Sequence, residues 1–65
     1  MITKNWFVII RTNEDGTLSF LSSEGWCSNI IPECLYEDAD GAYMDAANFG
    51  GKVNMVTLTL RPITE

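Results

Sequence analysis

Residues 5–22 read NWFVIIRTNEDGTLSFLS, two apolar stretches on either side of a short acidic turn. Asn5 to Thr12 is rich in β-branched and aromatic side chains, which fit the pleated surface of a strand. Trp6, Val8 and Ile10 fall on one face of that strand, and Phe7, Ile9 and Arg11 on the other. Both faces are largely apolar, so the strand belongs at the centre of a sheet. Asn13-Glu14-Asp15-Gly16 follows, with Gly16 supplying the positive φ that a tight hairpin needs. Thr17 to Ser22 is the returning strand.

Beyond the hairpin, Ser23-Glu24-Gly25 breaks the alternation, and Trp26 to Pro32 has no clear period. That stretch is apolar enough to fold back as an ordered connection. Pro32 argues against a helix through it, and Glu33 to Tyr36 reads as a short extended piece. Glu37 to Phe49 reads as a helix, with Ala39, Ala42, Tyr43, Ala46 and either Phe49 or Ala47 forming one apolar stripe. Asp38 is its natural N-cap, and Gly50-Gly51 its stop. Val53 to Arg61 is a third strand, with Val56, Leu58 and Leu60 alternating against a Thr-rich set. These elements predict one α+β domain over residues 1–65, in the order ββαβ. The sheet is expected to have three antiparallel strands in the order 2-1-3, with the helix on one face. The opposite face, expected to carry Thr57, Thr59 and some aromatics of the first strand, has no cover and is a candidate surface for a homodimer.

The bulk composition agrees with a small folded domain. Of 65 residues, 46% are hydrophobic and 20% charged, too apolar for a disordered tail. A core this small leaves stability marginal. No stretch resembles a secretory leader or is long enough to span a bilayer, so the expected location is the cytoplasm. Cys27 and Cys34 are then expected as reduced thiols that pack as small hydrophobes. The absence of His removes the commonest general base and the commonest transition-metal ligand.

Charge distribution says more than the net charge of −5. The four basic residues, Lys4, Arg11, Lys52 and Arg61, lie toward the ends of the chain. Between Arg11 and Lys52 come Glu14, Asp15, Glu24, Glu33, Glu37, Asp38, Asp40 and Asp45, with no compensating cation. Direct binding to nucleic acid or to an anionic membrane is not expected, since both need a basic footprint. A partner protein with a basic surface is the better electrostatic match.

None of the local patterns amounts to a catalytic or metal site. The cysteines form no CxxC pair. Asp38-x-Asp40-Gly41 resembles the opening of a calcium loop, but its twelfth position is Phe49 rather than an acid. Gly50-Gly51-Lys52 follows a helix, whereas a phosphate loop opens one. Ser22, Ser23 and Ser28 have no base to activate them. No cofactor and no enzymatic activity are therefore expected. The acids remain as candidate partner-binding residues: Glu33, Glu37, Asp38, Asp40 and Asp45, with Glu14 and Asp15 secondary. From Glu37 to Asp45 four charges span roughly 12 Å of helix, about half the charge density of duplex DNA. A DNA mimic would need the loop acids to complete the pattern. The alternative is an acidic surface that keeps a small protein in solution. Trp26, Trp6 and Tyr36 are the aromatics placed to act as interface anchors or as core.

The succession WFVIIRT, an acidic turn, TLSFLSSEGW, an alanine-bearing helix and MVTLTL resembles small accessory proteins encoded by bacteriophages and other mobile elements. Some of these are anti-CRISPR or other counter-defence inhibitors. The resemblance is one of element order over most of the chain, and it carries over no individual functional residue. It implies an inhibitor that acts in the host cytoplasm by covering a basic, nucleic-acid-binding surface of a host defence protein such as a CRISPR-Cas complex. The other function class that the residues support is a structural or oligomerisation module that self-associates through its open sheet face.

Overall fold

A computed structural model describes residues 2–63. The chain runs β1 (Ile2–Thr12), β2 (Leu18–Ser22), β3 (Gly25–Cys27), a 3-10 turn (Pro32–Cys34), α1 (Ala39–Phe49) and β4 (Lys52–Leu60). The sheet is antiparallel in the order β3-β2-β1-β4. The expected helix, hairpin and central first strand are present, but the sheet has four strands rather than three. The additional strand, β3, returns immediately after Ser23-Glu24 and pairs Leu21 with Trp26. Ser22 shapes that turn: its hydroxyl donates to the Gly25 carbonyl at 2.8 Å and accepts from the Glu24 amide at 3.2 Å.

The β1–β2 hairpin closes through Asn13 and Thr17. The Asn13 amide donates to the Thr17 carbonyl at 2.8 Å, and the Gly16 amide donates to the Asn13 carbonyl at 3.0 Å, with Gly16 at φ 89°. That is the pattern of a three-residue loop with glycine at its left-handed position. Asp15 fastens the loop by accepting from both the amide (3.0 Å) and the hydroxyl (2.6 Å) of Thr17. These bonds, the hydroxyl's foremost, hold the Asp15 carboxyl below its ordinary range.

The register assigns the faces. Phe7 lies opposite Met55 and Ile9 opposite Val53, while Trp6 lies opposite Val56 and Lys4 opposite Leu58. The helix packs on the first of these faces, where Ile9, Leu21 and Ala42 form the buried cluster, flanked by Phe7, Trp26, Tyr36, Ala46 and Val53. Ala42 has no exposed surface, so nothing larger separates helix from sheet there. Gly51 permits a second close approach: a Cβ on it would lie 2.8 Å from Ile9 Cγ2 and 3.1 Å from the Trp26 ring.

Two expectations are corrected by this register. Thr57 and Thr59 lie on the helix side of the sheet, where Thr57 donates to Asn5 at 3.0 Å. The opposite face instead carries Ile2, Trp6, Val56, Leu58 and Leu60. It is not wholly open, since Val8 on it is buried. The second correction concerns the helix stripe. Tyr43 is 62% exposed, and Asp45 occupies a half-buried position beside Ala42 and Ala46. The helix is rotated away from the expected stripe because Tyr36, on the sheet side, gives Asp45 a hydrogen-bond donor.

Candidate functional site

The helix side holds the largest concentration of candidate groups. Before α1 the chain docks against β1, with Tyr36 and Phe7 exchanging two backbone hydrogen bonds of 2.8 Å. This docking fixes the Tyr36 ring, whose hydroxyl donates to Asp45 Oδ2 at 2.6 Å. Partial desolvation first, and then this bond to a carboxylate, push the Tyr36 phenol up to about 12. Asp45 thus has one oxygen pinned by a protonated phenol.

Next to this pair is a cleft of about 490 Å³. Leu21, Ser22, Ser23, Gly25 and Trp26 of the β2–β3 hairpin form one wall, and Asp45 and Phe49 of the helix another. Glu33 of the 3-10 turn, with Leu35 and Tyr36, completes it. The lining is largely apolar, and among the described residues its two formal charges are both carboxylates and no basic residue contributes. Arg11 lies over the Trp26 ring at 4.3 Å and so stiffens the hairpin wall.

The acids named from the sequence fall into separate groups. Glu33 and Asp45 meet at the cleft. Glu37, Asp38 and Asp40 collect at the start of α1, where Asp38 is the N-cap and accepts from the Asp40 amide at 3.1 Å. Glu37 is 3.4 Å from Lys4, whose ammonium also lies 4.2 Å from the Trp6 ring. Glu14 and Asp15 sit at the hairpin tip. Lys4, beside Glu37, and Asn13, at the tip, are nine residues of extended chain apart, roughly 30 Å. A continuous line of charge like that of a nucleic-acid duplex is not what this fold builds; the acids fall at the cleft, at the start of α1 and at the hairpin tip.

The sequence reading named Trp26 and Tyr36 but not the cleft between them. Its signal lay in Gly25-Trp26 and in Tyr36 with Asp45 nine residues later, a separation with no helical or strand periodicity to connect them. The cysteines are free thiols, Cys34 fully buried and Cys27 half-buried with its sulfur 3.4 Å from the Ser22 hydroxyl. Among the described residues no three metal-ligating side chains converge, and no helix is long and apolar enough to cross a membrane. Comparison with protein-family models, with curated proteins and with solved structures finds no match for this chain.

Proposed function

We propose that this chain is a small acidic protein-binding inhibitor of phage type, which covers a basic, nucleic-acid-binding surface of a host defence protein with its helix side. The observation that carries this reading is the set of acids around α1, with Glu37, Asp38 and Asp40 at its start and Glu33 and Asp45 lining the cleft. Only Glu37 among them makes an ion pair within the described residues, and that pair is exposed and therefore weak. The exposed Glu33 and Asp40 carboxylates have no hydrogen-bond or ion-pair partner among the described residues and are available to a cationic partner. The inhibitory role and the phage context follow from the resemblance in element order alone.

Asp38 caps the helix, so changing it would confound binding with folding. The informative variant is the triple neutralisation Glu33→Gln, Glu37→Gln, Asp40→Asn. It is expected to stay folded and to lose at least tenfold in affinity for the partner. Unchanged affinity would sink the reading.

A second reading is favoured by a different observation. Beyond the helix, the start of β1 and the end of β4 form a two-stranded ribbon whose face away from the helix is apolar apart from Lys4. Ile2 and Leu60 on it are 64% and 63% exposed, and Leu58 is exposed beside them. Two-stranded ribbons are marginal alone in water, and a second copy against this face would bury it.

A further inference from the structure

We infer that the cleft between the β2–β3 hairpin and α1 is a socket for an arginine side chain carried, next to an apolar residue, on a short segment of a partner protein. The inference rests on the reading of the helix side as the partner-binding end and names the group that enters it.

Three features of the cleft point to this occupant. Its volume, about 490 Å³, falls within the roughly 300–1,000 Å³ of specific ligand sites and exceeds what a single side chain needs. Leu21, Leu35, Phe49 and Trp26, whose ring already carries the Arg11 guanidinium at 4.3 Å, supply an apolar and aromatic lining suited to an aliphatic stem and a flat guanidinium. Among the described residues Glu33 and Asp45 supply the only formal charges of the lining, both negative. Asp45 is already oriented by the Tyr36 hydroxyl at 2.6 Å through one oxygen, and no described hydrogen bond or ion pair uses the other. A carboxylate held still before its ligand arrives loses little freedom on binding. Arginine fits better than lysine because its planar, weakly hydrated head both stacks on aromatic rings and donates to two acceptors at once.

The test is a titration of the uniformly ¹⁵N-labelled full chain with the blocked tripeptide Leu-Arg-Leu, and in parallel with its uncharged citrulline counterpart. The expected result is saturable shifts of the Trp26 indole and of the Asp45 and Glu33 amides, with the citrulline peptide at least tenfold weaker. Asp45→Asn should weaken the arginine peptide at least tenfold. Glu33→Gln, at an exposed position with no described hydrogen bond or ion pair, should do so severalfold even if Asp45→Asn perturbs the fold. Equal binding of the two peptides would overturn the inference, because the cleft would then be reading only apolar surface. Shifts confined to Glu37, Asp38 and Asp40 would also overturn it, while leaving the acidic end standing as the partner site. No shift at any acid of the helix side would remove both.

Discussion

Tyr36 carries two tasks through two different groups: its backbone joins β1, and its hydroxyl holds Asp45 on the helix. The phenol is favoured in its neutral form in the folded chain, displaced from 10.0 to about 12. A raised phenol contributes stability that is complete below pH 10 and is lost as pH rises toward 12. In a Tyr43→Phe background Tyr36 is the one remaining tyrosine, and phenolate absorbance is expected to appear with a midpoint near 12. Adding Asp45→Asn should bring that midpoint down. Gly51 is constrained twice over, by a φ of 93° and by the Ile9 side chain where its Cβ would stand. Gly51→Ala should destabilise by about 2–4 kcal/mol in urea denaturation, combining left-handed strain with overpacking. Gly51 was legible in the sequence only as a helix stop, since its contact with Ile9 joins residues 42 positions apart. The Tyr36–Asp45 bond was hidden for the same reason.

The elements were more legible than their contacts. Alternation in Asn5–Thr12 and Thr17–Ser22, with glycine at the turn, located the hairpin, and Asp38 and Gly50 bound the helix as their chemistry requires. The third strand of the sheet's outer edge was missed because Gly25–Cys27 is three residues long, too short to show a period. The helix stripe was misjudged because a hydrophobicity pattern counts Asp45 as polar and Tyr43 as apolar. The hydrogen bond to Tyr36 reverses their places. Gly41 sits in the first turns of α1 with ordinary backbone, and a Cβ there would make a van der Waals contact of 3.8 Å with the Tyr36 ring. Gly41→Ala is therefore expected to stabilise the protein by up to about 1 kcal/mol, seen as a higher urea midpoint, through helix propensity alone.

The whole molecule is elongated, 46 × 27 × 18 Å, with a radius of gyration of 13.5 Å against about 11 Å for a compact chain of 65 residues. Its length comes from the β1–β4 ribbon. The helix and the cleft lie on one side of the sheet, and the ribbon face opposite carries Ile2, Leu58 and Leu60 with Lys4, which pairs with Glu37. The two surfaces predict different associations. If the ribbon face pairs with a second copy, sedimentation at high concentration should show a dimer unchanged by salt, and Leu58→Lys with Leu60→Lys should make it monomeric. The helix side predicts association with a cationic protein that weakens as salt screens it.

One capture experiment tests this salt-sensitive binding of a cationic protein. The full chain and its Glu33→Gln, Glu37→Gln, Asp40→Asn variant are immobilised side by side, exposed to host lysate, and washed at low and then high salt. The wild-type chain is expected to retain a basic, nucleic-acid-binding protein that elutes with salt, and the variant is expected not to retain it. Equal retention of the same protein by both chains, undiminished at high salt, would contradict it.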